Sequence, residues 1–203
     1  MTRPLLAVLD YGIGNLHSAQ KSLEHEGADA RLTADPALIA DADGVVLPGV
    51  GAFADAMHEL RQRDLVEPLR DFIQSGRPFL GICLGLQLLF DRSYEGGEHE
   101  GLGVLPGEVV RFELPTGFKV PHMGWNQVHV QRSCPLFEEI ADGSDWYFVH
   151  SFFVDPQDRQ ITATTTTYGM PFTSSIWKDN VVACQFHPEK SQAVGLQLMK
   201  NFG

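Results

Sequence analysis

The stretch PFLGICLGLQLLF, Pro78 to Phe90, places Cys83 two residues after Gly81 and two before Gly85, with apolar runs on both sides. The residues leading to Gly81 read as a buried strand, and Leu86, Leu88, Leu89 and Phe90 read as a helix. A strand that turns abruptly into a helix with a nucleophile at the corner is an elbow, here with cysteine in the place of serine. The glycines follow from that geometry, because a side chain two residues from a strained corner collides with the neighbouring strand or helix. The helix N-terminus adds positive potential that favours a thiolate and, later, an oxyanion. A lone cysteine in an apolar strand is also an ordinary core residue, so this segment alone leaves both readings open.

Working outward, the first hundred residues repeat the same strand-turn-helix pattern. LLAVLD (Leu5 to Asp10) runs into a glycine-rich turn and a helix through Ser18 to His25. DGVVLPG (Asp43 to Gly49) is followed by apolar residues at Leu60, Leu65, Leu69, Phe72 and Ile73. Fully apolar strands alternating with helices predict a parallel sheet covered on both faces. After Gly101 the texture changes: EVVRFELP, NQVHVQ, DWYFVHSFFV and ITATTTTY are strand-like and separated by turn residues, which predicts an antiparallel β section. NVVACQFHPE adds a last strand and turn, and AVGLQLMKNF a closing helix. The expectation is an α/β fold in one domain over residues 1–203, with a mostly parallel central sheet flanked by helices.

Composition removes several classes of function. The 203 residues, 43% of them hydrophobic, suffice for one sizeable core. With 26 acidic against 15 basic residues the formal charge is −11, which repels nucleic acids and anionic membrane surfaces. No run approaches a membrane span, and the N-terminal MTRPLLAVLDYG has no cleavage site, so a cytoplasmic protein is expected. Cys83, Cys134 and Cys184 are too few and scattered for a disulfide framework, Cys134 reading as a loop thiol and Cys184 as a core thiol. His17, His25, His58, His99, His122 and His129 do not pair at ligand spacing, so no metal is expected. GIGN (Gly12 to Asn15) has two glycines of a dinucleotide fingerprint but His17 in the third position, and no cofactor is expected.

An elbow needs a base, an orienting group and oxyanion donors before it becomes a mechanism. QFHPEKS places His187 at the end of an apolar strand with Glu189 beyond a rigid proline, so the carboxylate can turn back onto one ring nitrogen and leave the other for Cys83. A surface His-Pro turn is the plainer alternative. LPGVGAF (Leu47 to Phe53) opens a strand into a Gly-x-Gly segment with accessible amides, suited to an oxyanion or simply to a βα loop.

The elbow and the HPE segment together resemble the class I, triad-type glutamine amidotransferases. DYGIGNL, LPGVGAF, VPHMGWN and YFVHSF, in this order, are similar to the glutaminase subunits of imidazole glycerol phosphate synthases, and the resemblance spans the chain. It implies that Cys83 attacks the side-chain amide of glutamine, that His187 oriented by Glu189 moves the proton, and that a γ-glutamyl thioester forms and is hydrolysed. It further implies oxyanion donors at Leu84 and in Pro48 to Gly51, Val50 and Gly51 above all. Substrate contacts fall at Gln87, Glu95, His150, Ser151 and Phe152, the last where the family carries a tyrosine. The implied partner is a (β/α)8-barrel cyclase subunit that receives the ammonia, docked at Asn15, Met123, Trp125, Tyr147 and Lys190. A glutaminase of another synthase, such as that for pyridoxal phosphate, or a cysteine-elbow protein without amidotransferase activity are the alternatives.

Overall fold

The computed structural model describes residues 3–203; Met1 and Thr2, which open the N-terminal segment, lie outside them. In the first part strands and helices alternate: β1 (Leu5–Leu9), α1 (Leu16–His25), β2 (Asp29–Thr33), α2 (Pro36–Asp41), β3 (Gly44–Gly49), α3 (Phe53–Gln62), α4 (Val66–Gln74), β4 (Phe79–Cys83) and α5 (Leu84–Leu88). Ten strands follow: β5 (Phe90–Ser93), β6 (His99–Glu100), β7 (Leu105–Arg111), β8 (His122–Gln127), β9 (His129–Val130), β10 (Asp145–His150), β11 (Phe152–Pro156), β12 (Thr162–Thr167), β13 (Pro171–Lys178) and β14 (Val181–Cys184), before α6 (Gln192–Phe202).

The large sheet runs β2-β1-β3-β4-β14-β13-β11-β7-β5-β6, and the first five strands of that order are mutually parallel. Their central members, β3 and β4, are buried along their whole length, as a strand covered on both faces must be. Successive side chains leave to opposite faces. Ala7, Leu9, Val45, Leu47 and Phe79 meet α2, α3 and α4 through Ile39, Met57, Leu60, Leu69 and Phe72 on one side. Leu6, Val8, Val46, Leu80 and Ile82 meet α1 and α6 through Ala19, Leu23, Leu198 and Met199 on the other. Helix α3 is fixed by spacing, since Phe53, Ala56, Met57 and Leu60 form one buried stripe. Asp35 caps α2 by accepting from the amide of Ala37 at 2.9 Å, with Pro36 in the first turn.

Beyond β14 the sheet is antiparallel through β13, β11 and β7, as the strand-rich second half predicts. Two elements depart from the sequence reading. The helix after Cys83 stops at Leu88, and Phe90 opens β5, paired in parallel with β7 at Leu105. The apolar run suits a buried strand as well as a helix, and Gly101 packs so tightly over Phe90 that a Cβ there would lie 2.2 Å from the Phe90 carbonyl oxygen. The segment DWYFVHSFFV is two strands broken at Ser151: β11 joins the large sheet, while β10 pairs with β8 in a separate two-stranded ribbon.

What matters for the site is the centre. Ile82 pairs with Cys184 in the parallel ladder of β4 and β14, so Cys83 and the residues after Cys184 leave the sheet side by side at its C-terminal edge. Ligands of doubly wound sheets bind at that edge.

Candidate active site

Cys83 adopts φ 55° and ψ −107°, a left-handed backbone that non-glycine residues avoid. The corner is held by close packing. A Cβ on Gly85 would sit 1.8 Å from the carbonyl oxygen of Leu47, and one on Gly81 would sit 2.9 Å from the carbonyl oxygen of Gly85. The first turn of α5 is therefore pressed against β3, which leaves Cys83 6% exposed at the mouth of the turn. Gly49 pairs with Cys83 in the β3–β4 ladder, so the loop from Val50 onward starts beside the sulfur. Below it, the Tyr11 hydroxyl donates to the Pro48 carbonyl at 2.9 Å. Burial, and then the charge of nearby Cys83, push the Tyr11 phenol well above its ordinary range, so it remains a donor.

His187 follows β14 and is 1% exposed. Its Nδ1 lies 2.8 Å from Glu189 Oε1, with the two side chains 1% and 3% exposed. Nε2 makes no hydrogen bond. Burial alone lowers the proton affinity of this ring, but the charge of Cys83, reinforced by Glu189, outweighs it and raises the pKa to about 10. While Cys83 carries its charge the doubly protonated, cationic ring is the favoured form, with Glu189 accepting from Nδ1.

The turn is fixed from three sides. The His187 amide donates to the Tyr147 carbonyl at 2.9 Å, the Ser191 hydroxyl donates to the His187 carbonyl at 2.7 Å, and the Tyr147 amide donates to Ser191 Oγ at 3.1 Å. Helix α6 reaches the turn because Gly195 has no side chain; a Cβ would lie 1.9 Å from the Pro188 carbonyl oxygen.

Cys83 opens into a cavity of about 370 Å³ lined by Val50, Gly51, Leu84, Gln87, Glu95, Pro121, Val149, His150, Ser151 and Phe152. Gln87, Glu95, His150, Ser151 and Phe152, expected around the substrate, and Leu84, Val50 and Gly51, expected at its oxyanion, thus line the cavity into which the sulfur opens. Their own bonds add detail. Glu95 accepts from the Phe53 amide at 2.8 Å and so holds the N-terminus of α3 as well as facing the cavity. Gln87 donates through Nε2 to the Phe152 carbonyl at 3.1 Å and to Gln185 Oε1 at 3.0 Å. Gly51 is left-handed at φ 92°, with no atom within 4 Å of where its Cβ would be.

Four of the expected docking residues lie on or beside the β8–β10 ribbon. Tyr147 and Trp125 are cross-strand neighbours in the β8–β10 ribbon with ring centroids 6.1 Å apart, and the Lys190 ammonium lies 5.6 Å from the Tyr147 ring centre. Met123 is on the same strand as Trp125; it is 62% exposed and Trp125 49%. Trp125 is not a core residue. Asn15 is half-buried ahead of α1, which packs against the His187–Ser191 turn.

One residue, Gln185, and one pairing, His122 with His150, escaped sequence reasoning. Gln185 is fully buried and donates through Nε2 to Cys83 Sγ at 3.6 Å. His122 Nδ1 lies 3.0 Å from His150 Nε2, and burial lowers the pKa of these rings to about 4 and about 3. Polarity in a mostly apolar segment is the one signal that marks Gln185; the partners lie about 100 residues away in sequence, beyond any local pattern. Among the described residues no cluster of three or more His, Cys, Asp or Glu forms a metal cage, and all three cysteines are buried and free.

A cysteine elbow beside a histidine–glutamate pair on this sheet defines a protein class, and the chain belongs to it: residues 7–203 match the family described as glutamine amidotransferase class-I. Within that family the chain is 54% identical over 204 residues to the imidazole glycerol phosphate synthase subunit HisH of Syntrophotalea carbinolica, covering 98% of this chain and 99% of that protein. The HisH subunit of Geobacter sulfurreducens is also 54% identical, over 98% of this chain and 97% of its own length. Among solved structures, PurLQS from Thermotoga maritima superposes with a TM-score of 0.77 at 17% identity, over 99% of this chain and 98% of that one. A glutamine amidotransferase from Thermotoga maritima gives 0.65 at 17%, over 93% of this chain and 77% of that one. At such identities these structures establish the fold.

Proposed function

We propose that the chain is the glutaminase subunit of an imidazole glycerol phosphate synthase, acting in histidine biosynthesis in the cytoplasm. The observation that carries this reading is Cys83 opening into a cavity of about 370 Å³, a volume suited to a small ligand, with the bonded pair His187–Glu189 buried just past the end of the strand that runs beside its own. Glutamine enters with its side-chain amide over the sulfur. Cys83 attacks the amide carbon, and the oxyanion that forms is met by the amide of Leu84 at the start of α5 and by an amide of the Val50–Gly51 loop. His187 gives its proton to the nitrogen as the C–N bond breaks, releasing ammonia and leaving a γ-glutamyl thioester. Water deprotonated by His187 then hydrolyses the thioester, and glutamate and the free sulfur are regenerated. Glu189 keeps the ring in the orientation that serves both steps.

Gln87, Glu95, His150, Ser151 and Phe152 hold the amino-acid end of glutamine. The contacts at Ser151 and Phe152 run through the backbone, so phenylalanine at 152 does not remove them. A (β/α)8-barrel cyclase covers the patch of Met123, Trp125, Tyr147 and Lys190, with Asn15 nearby, and takes the ammonia before solvent does. The phosphate-bearing substrate belongs to the cyclase, which fits a chain of formal charge −11.

The test is glutamate release from glutamine by the chain alone, with the cyclase subunit, and with the cyclase plus its nucleotide ligand. Release stimulated by partner and ligand and lost in Cys83→Ala is expected. Equal release in Cys83→Ala would reject the nucleophile, and indifference to the cyclase would reject the synthase.

A further inference from the structure

The hydrogen bonds around Phe152 have only one possible direction. A backbone carbonyl can only accept, and the Phe152 carbonyl receives Gln87 Nε2 at 3.1 Å and His150 Nδ1 at 2.8 Å. The first contact fixes which end of the Gln87 carboxamide is nitrogen. Its second N–H then points at Gln185, 3.0 Å away, which must present its oxygen there. Gln185 is consequently left with its nitrogen on the other side, 3.6 Å from Cys83 Sγ. The second contact propagates in the same way. His150 carries its hydrogen on Nδ1, accepts at Nε2 from His122 Nδ1–H at 3.0 Å, and His122 Nε2 accepts from Asn126 Nδ2 at 3.2 Å. Amide flips and ring tautomers are thus set by one carbonyl rather than free to choose.

We propose that Gln185 is a donor to the reacting sulfur: its carboxamide, locked through Gln87 onto the Phe152 carbonyl, aims an N–H at Cys83 Sγ and stabilises the sulfur whenever it bears negative charge. This deepens the glutaminase reading and rests on Cys83 being its nucleophile. The sulfur is anionic in two places on that path, before attack and when the C–S bond of the tetrahedral intermediate breaks and the electron pair returns to sulfur. An N–H···S⁻ bond is charge-assisted in both and weakens in the thioester between them. Imidazolium His187, backed by Glu189, is the other group that answers this charge; neutral Tyr11 and Cys184 are the remaining titratable side chains that feel it. Gln185 is fully buried, so no water stands in for its donor.

The experiment is the pH–rate profile of Cys83 alkylation by iodoacetamide, mapped to the Cys83 peptide by mass spectrometry, in the wild-type chain, Gln185→Met and Gln185→Leu. Methionine keeps the length and volume of glutamine without a donor, and leucine repeats the test if methionine disturbs the fold; circular dichroism identifies the folded variant. At pH values on the rising limb the folded variant is expected to react about tenfold more slowly, the profile moving to higher pH. A packing defect alone would leave the position of the profile unchanged, and coincident profiles would overturn the proposal. Alkylation needs no glutamine, so the outcomes separate: glutamate release surviving in Cys83→Ala sinks the glutaminase reading, whereas an unmoved profile beside a Cys83-dependent glutaminase sinks only the role of Gln185.

Discussion

At the scale of single residues the site is defined as much by missing side chains as by reactive ones. Gly85 has an ordinary helical backbone, so the demand for glycine there is purely one of space: the 1.8 Å approach to Leu47 leaves no room for a methyl group. Gly85→Ala is expected to force α5 away from β3 and to cost about 3 kcal/mol or more in urea unfolding. Gly76→Ala provides the contrast, because Gly76 is left-handed at φ 78° with open space around it, and about 1 kcal/mol is expected from backbone strain alone. A similar cost at both positions would mean that the elbow tolerates movement. This part of the site was legible in the sequence, since a glycine two residues from a cysteine on each side is a local pattern with a steric reason. Gln185 was not, because its partners Gln87 and Cys83 become neighbours only after β14 has inserted beside β4.

At the scale of elements, the β8–β10 ribbon joins an exposed face to a buried one. His122 on β8 lies between the rings of Phe148 and Tyr168, at centroid distances of 4.8 and 4.1 Å, and bonds to His150 at the end of β10. Burial keeps both rings neutral, with pKa values of about 4 and about 3. In the unfolded chain they titrate near 6.5. Above that pH both states are neutral and the stability is intact. As pH falls below it, the unfolded chain takes up protons that the folded chain refuses, and stability drops by up to about 1.4 kcal/mol per pH unit for each ring until the folded values are reached. Urea midpoints measured from pH 6 down to 4.5, where His187 is protonated in both states, should fall accordingly, and His122→Phe should flatten that slope by about half. An unchanged slope would assign the acid sensitivity elsewhere. The sequence offered the ribbon's strands but not this pair, since His122 and His150 carry no spacing that links them. It also misplaced the boundary after Cys83, where LLF satisfies helix and buried strand equally and only pairing with β7 decides.

At the scale of the whole molecule, the α/β order and the antiparallel second half were readable because β3 and β4 are apolar throughout and the later strands are bounded by turn residues. The strand order was not, since nothing local announces that the penultimate element, β14, completes the parallel section while β13 begins the antiparallel one. That insertion brings the HPE turn to the elbow and ties it to β10 through the Tyr147 carbonyl. The face carrying Trp125 is therefore continuous with the backbone of His187. Trp125→Ala is expected to weaken binding of the cyclase subunit at least tenfold in titration calorimetry while shifting the chain's own unfolding free energy by less than about 1 kcal/mol, because the side chain is 49% exposed. Loss of stability without loss of affinity would make the residue structural. The same face has a consequence for the cell that makes this chain. Met123 and Trp125 remain wet until something covers them, and exposed apolar groups of this kind favour self-association. If the proposed cyclase covers this face, matched synthesis of the two subunits is expected to protect solubility as well as yield.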